Sequence, residues 1–158
     1  ILLCGLVIAA GLAIGPPLSA AELVGIAFVQ PNASLYLQGR TVYLYGVYIP
    51  LTARDCSIKL QPVRCGNRAA LVLDRAIDGF VRCRPVGVFR DGSLSAVCHV
   101  QRNRFSAGRD LAAKLISEGW ALAGPGAPFE YLALERIAIA QRRGVWQRHD
   151  VVTRYFYD

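Results

Sequence analysis

Cys83 and Cys98 lie at equal distances on either side of the Arg90-Asp91 step, and the segments that carry them, GFVRCRPVGVF and SLSAVCHVQ, read as two β-strands. An antiparallel hairpin turning at Arg90-Asp91-Gly92 sets the two thiols opposite each other at a separation that a disulfide spans. Any fold for this chain has to accommodate that cross-linked ribbon.

The chain has 5 cysteines. Cys4 falls in an apolar leader, which leaves Cys56, Cys65, Cys83 and Cys98. An even number behind a leader reads as two disulfides, and once Cys83 is joined to Cys98, Cys56 pairs with Cys65 to close a short loop. The competing use of four cysteines is a zinc site. Here there is no Cys-x-x-Cys pair, and the spacings of 9, 18 and 15 residues match no ordinary finger.

No charged side chain precedes Glu22. Residues 1–14 are almost wholly apolar, Pro16 and Pro17 break the run, and Ser19-Ala20-Ala21 supplies small residues for cleavage. We expect residues 1–21 to be a signal peptide and the protein to be secreted or periplasmic. The alternative is an uncleaved membrane anchor, although the run before the prolines is shorter than the roughly 20 residues a spanning helix needs. With the leader cleaved, no membrane partner is expected.

The remainder of the 158 residues is enough for one domain with a core and too little for two. A charged fraction of 18% argues against disorder. Of the 18 basic residues only Lys59 and Lys114 are lysines, and the formal net charge is +7. The forked guanidinium of arginine suits phosphate, carboxylate and stacking contacts, so a polyanionic partner is permitted.

Along the chain, LVGIAFVQ, SLYLQ and TVYLYGVYIP are strand candidates, and in the third Val42 and Leu44 alternate with Tyr43 and Tyr45. Leu51 to Cys65 reads as a polar loop. A helix from Gly66 through Asp78 carries Ala70, Leu73 and Ile77 on one face; the hairpin follows. A second helix ends near Gly119, and a third runs from Pro128 to Gly144. Trp120 and Trp146 are expected in the core, His99 and His149 in structural roles, and residues 148–158 as an aromatic tail. This order predicts an α+β, mainly β fold: a five-stranded OB barrel with three helices.

Particular residues then carry a resemblance to the staphylococcal nuclease (thermonuclease-like) family, in its secreted bacterial branch. They are Gly39-x-x-Val42-x-Leu44-x-Gly46-Val47-x-x-Pro50, Cys65-Gly66-x-x-Ala69, the Gly92 hairpin ending Ala96-x-Cys98, Gly108-x-Asp110-Leu111-Ala112, Glu118-Gly119-Trp120-Ala121, and Glu135 to Arg143-Gly144-x-Trp146. The resemblance covers residues 23 to 147 and implies a domain over 22–147 with the OB barrel and three helices. Such nucleases cut phosphodiesters with a calcium ion held by aspartates, arginines on the phosphate and a glutamate near the attacking water.

At the positions matching that machinery the residues differ. The metal-binding aspartates correspond to Ala33 and Tyr48, the arginines to Tyr43 and Ser93, and the glutamate to Leu51. Calcium takes 6 to 8 oxygen ligands, and Ala33 and Tyr48 bring no carboxylate. No hydrolysis of the family type is expected, and no metal or other cofactor; calcium enters only if the chain is an active nuclease after all. Asp91 is explained as a turn residue.

The resemblance thus implies a catalytically degenerate domain used as a binding or assembly module, with nucleic acid, another polyanion or a protein as partner. An active phosphodiester-cleaving nuclease is the first alternative, and a membrane-anchored structural subunit the second. Tyr43, Tyr45 and Tyr48, flanked by Arg54 and Arg90, form the candidate ligand groove, since aromatic side chains on an OB face can stack bases. Their other use is to cover barrel surface or a partner interface. Arg64, Arg102 and Arg104 lie in loops that could flank the same groove.

Overall fold

The computed structural model describes residues 21–50, 57–58, 61–62, 65–101 and 103–147, with backbone alone at 57–58, 61–62 and 65–67. In chain order the elements are β1 (Leu23–Gly25), β2 (Phe28–Val29), β3 (Leu35–Leu37), β4 (Arg40–Leu44), β5 (Val47–Tyr48), β6 (Ser57–Ile58), β7 (Gln61–Pro62), α1 (Cys65–Ala76), β8 (Val81–Val88), β9 (Leu94–Val100), β10 (Arg109–Asp110), α2 (Leu111–Ser117), β11 (Leu122–Ala123) and α3 (Phe129–Ala140). A 3-10 turn over Gly144–Gln147 follows.

The fold is α+β, with a curled mixed sheet and three helices. The main sheet runs β1-β8-β9-β4-β3-β2, with β10 added against β9. All its pairings are antiparallel except β4 with β9, where Tyr43 stands opposite Ser95. Only Ile26 and Ala27 separate β1 from β2. Yet β1 pairs with β8 and β2 with β3, so one short length of chain closes on both ends of the sheet.

The hairpin forms as the cysteine spacing requires. Cys83 stands opposite Cys98, and the two are joined by a disulfide with Cα atoms 4.1 Å apart. Both side chains are fully buried. A bulge between Pro85 and Gly87 shifts the register beyond that pair, so the tip residues are Phe89 to Ser93. The bulge accommodates Pro85, which has no N–H to give the ladder.

Strand alternation sets the core. Leu35, Leu37, Val42 and Leu44 point inward with Leu94, Ala96, Cys98 and Val100 from β9, while Tyr36 and Tyr43 point outward. Helices α1 and α2 cap this interior through Ala69, Leu73 and Ala76 and through Leu111, Ala112, Leu115 and Ile116. A second cluster of Leu122, Ala138, Val145 and Trp146 lies under α3, with Trp120 packed against both.

Several sequence expectations need adjustment. The segment TVYLYGVYIP is one strand only as far as Leu44. Gly46 then adopts φ +72°, and Val47–Tyr48 leaves the main sheet to pair with Leu122–Ala123. The first strand is broken at Ile26-Ala27 instead of continuous. The buried stripe of α1 is Ala69, Leu73 and Ala76, one position away from the expected Ala70, whose side chain is only half-buried. The loop from Leu51 to Cys65 contains the short pair β6–β7. The expected Cys56–Cys65 disulfide, the leader, Leu51, Arg54, Arg64, Arg102, His149 and the tail lie outside the described residues or side chains.

Candidate functional site

The outward face of β2, β3 and β4 carries a row of aromatic side chains. Phe28 stands directly opposite Tyr36, and Tyr36 opposite Thr41, which places Tyr43 diagonally across from Tyr36. Tyr43 then meets Phe89 from the hairpin tip edge to face, with ring centroids 5.6 Å apart. These side chains retain much of their surface: 66% for Phe28, 50% for Phe89, 43% for Tyr36 and 39% for Tyr43. Neighbouring strands are about 4.8 Å apart, so the row crosses three strands within roughly 10 Å before reaching the tip.

Each position follows from the local sequence. Tyr36 lies between inward Leu35 and Leu37, and Tyr43 between inward Val42 and Leu44, so period-two alternation turns both out. Phe89 is held by the tip itself, where its backbone N–H donates to Ser93 O at 2.8 Å and its carbonyl accepts from Gly92. Asp91 fixes the same turn: its Oδ1 accepts from the Ser93 backbone N–H at 3.0 Å and from the Ser93 hydroxyl at 2.6 Å. Those bonds hold the Asp91 carboxyl below its ordinary range. Asp91 is therefore a turn residue, as its sequence position suggests.

Exposed Arg90 flanks the row at the tip, whereas Arg40, exposed at the start of β4, keeps step with inward Val42 and Leu44 opposite Leu37 and so belongs to the other face of the sheet. Beside Arg40 a cavity of about 370 Å³ is lined by Glu22, Leu23, Gln38, Pro85, Val88 and Leu94 as well. Its walls are mostly apolar.

The tyrosines singled out from sequence do not share one role. Tyr43 belongs to the row. The Tyr45 hydroxyl donates to Gly126 O at 3.0 Å, which ties the end of β4 to the loop before α3. Tyr48 is exposed on β5, in the separate ribbon with Leu122. Phe28, Tyr36 and Phe89 were not among the candidates. Alternation along SLYLQ, together with the position of Phe89 at the hairpin tip, carries the signal for the last two.

The positions that match the nuclease machinery are differently placed. Ala33 is buried with φ +60° in the turn before β3, where its N–H donates to Gln30 O. Ser93 is buried and bonded to Asp91. A methyl, a phenol and a hydroxyl already engaged in a turn do not make a calcium donor set, so the residues described at these positions do not fit that ion. Among the described residues, no three His, Cys, Asp or Glu side chains gather closely enough to hold a metal.

A polar cluster lies where α2, α3 and β9 meet. Asp110, the N-cap of α2, accepts through Oδ1 from the N–H groups of Ala112 and Ala113, and through Oδ2 from the Tyr131 hydroxyl at 2.7 Å. Burial, and the hydrogen bond to Asp110, push the Tyr131 phenol well above its ordinary value. His99 Nε2 approaches the same Oδ2 at 4.0 Å. The groove beside them, about 450 Å³, includes Lys114, Glu130 and Leu134. These contacts join α2, α3 and β9; the carboxylate is consumed in capping and in bonding the phenol.

No protein-family model matches the sequence, and no curated protein matches it.

Proposed function

We propose that the protein is a non-catalytic binding domain that takes single-stranded nucleic acid on the face of β2, β3 and β4. The observation that carries this reading is the exposed row Phe28, Tyr36, Tyr43 and Phe89, with exposed Arg90 beside it at the hairpin tip. Bases present flat apolar faces that stack on such side chains whatever their sequence, and each stacked base contributes about 1–3 kcal/mol. Arg90 beside the row supplies a contact to the phosphate backbone.

The fold is consistent with this use. Taking β1 and β2 as one interrupted strand, the order around the sheet is first, second, third, fifth, fourth and first again, with a parallel pair between the third and fifth; this is the arrangement we assign to an OB barrel of the nuclease type. Oligonucleotides bind OB barrels on the face of the second and third strands, here β3 and β4. Hydrolysis is excluded from the proposal because the matched positions carry Ala33, Tyr43, Tyr48, Leu51 and Ser93 in place of acidic and basic groups. The buried disulfide suits a non-reducing compartment, secreted or periplasmic.

The test is fluorescence anisotropy with labelled single-stranded DNA and RNA at several salt concentrations, with and without calcium, followed by a gel for cleavage. Binding that weakens with salt and leaves the strand intact is the expected result. Calcium-dependent cutting abolished by a chelator would restore the nuclease reading, and no binding to either strand would turn the search to a protein partner.

A further inference from the structure

Helix α3 is apolar on both sides. Tyr131, Glu135 and Ala138 face inward, and Glu135 is satisfied there by accepting from the Ala123 N–H at 2.9 Å. On the outward side Leu132 and Ile139 are exposed and Phe129 keeps 80% of its surface, while Ile137 is exposed on the other flank, seven residues on from Glu130. A surface helix ordinarily places charged and polar side chains there. The outward stretch of α3 instead has Arg136 in the midst of its apolar residues, and exposed Arg142 just beyond its end. Glu130 is the acidic residue in the first turn, on the flank toward the Lys114 groove.

We infer that this face of α3 lies on an anionic lipid surface. The pattern is an apolar band interrupted and followed by arginines, which suits a helix lying in the plane of the headgroups: the aliphatic stems and apolar side chains settle among the acyl chains while guanidinium groups reach the lipid phosphates. The formal net charge of +7 draws the chain toward such a surface. A second copy is the poorer occupant. Arg136 is close to the middle of the helix, so antiparallel pairing about a two-fold axis sets it near its own mate, like charge against like.

The test uses the whole chain carrying Phe129→Trp, whose emission is compared with that of the parent, which already contains Trp120 and Trp146. Vesicles containing phosphatidylglycerol are expected to shift the added emission to the blue, and brominated lipids to quench it. Pure phosphatidylcholine vesicles should do neither. Because the probe is on α3, the readout reports contact by this face whether or not residues 1–21 are retained. Replacing Arg136 and Arg142 by Gln in the same background should weaken partitioning about 30-fold, near the contribution expected of two surface arginines. No shift with anionic vesicles, an equal shift with neutral ones, or partitioning indifferent to both arginines would each overturn the inference. So would a shift that grows with protein concentration in the absence of lipid, which would assign the face to a second copy.

Discussion

The aromatic face of the sheet and the junction around Asp110 are both assembled from several chain segments, yet their side chains are used in opposite ways. At the junction the polar atoms are largely committed: Asp110 caps α2 and bonds Tyr131, Glu135 receives the Ala123 N–H, and Lys114 pairs with Glu118 at 2.6 Å. On the sheet face the side chains are large and mostly apolar and keep between 39% and 66% of their surface, with Tyr43 and Phe89 in edge-to-face contact. The chemically richer region therefore serves the fold, and the chemically plainer one is left available. Clustered ionisable groups are a weaker guide to a site than apolar surface left open for no structural reason.

The contrast can be broken most forcefully where the two last helices meet the chain that returns to them. Gly119 has φ +74°, and a Cβ there would stand 2.2 Å from the Arg143 carbonyl oxygen. Gly119→Ala should lower stability by about 4 kcal/mol in urea unfolding, the sum of backbone strain and a clash with main chain that cannot move aside. Asp110→Ala should cost about 3 kcal/mol, through the lost cap and a buried phenol left without its acceptor, and should leave oligonucleotide affinity unchanged.

Tyr43→Ala should invert that result. Binding to single-stranded DNA is expected to weaken by about 2 kcal/mol, read by anisotropy, while unfolding shifts by less than about 1 kcal/mol. A loss of stability as large as that of Asp110→Ala would make the row structural and erase the distinction between the two regions. The smallest effect concerns pH. Burial raises the Glu135 carboxyl above its ordinary value. Between that ordinary value and the raised one the folded chain binds a proton that the unfolded chain has released, so stability falls as pH rises through the window. Glu135→Gln keeps an acceptor for the Ala123 N–H and should flatten that decline in urea titrations run from pH 4 to pH 7.

How much of this is legible in the sequence depends on the range of the signal. The Cys83–Cys98 bridge was readable because hairpin pairing is local and symmetrical about its turn, and the burial of Leu35, Val42 and Leu44 followed from alternation along single strands. The helix start near Pro128 was marked by that residue, and the end of the second helix by Gly119. The parallel pairing of β4 with β9 was not, because it joins segments some fifty residues apart that no local pattern links. That pairing, with the β2–β3 and β3–β4 registers, gathers Phe28, Tyr36, Tyr43 and Phe89 on one face. Tyr45 illustrates the converse: it shares a strand side with Tyr43, but a distant carbonyl at Gly126 claims its hydroxyl.

The break at Ile26-Ala27 has a further consequence for the life of the chain outside its folded state. Residues 23–29 cover the open ladders of both β8 and β3, so a few N-terminal residues protect two sheet margins at once. An exposed margin is a template for pairing with another chain. Proteolytic trimming that removed β1 alone would bare β8, and trimming that reached Val29 would bare both. Protection of both margins therefore rests on the seven residues from Leu23 to Val29.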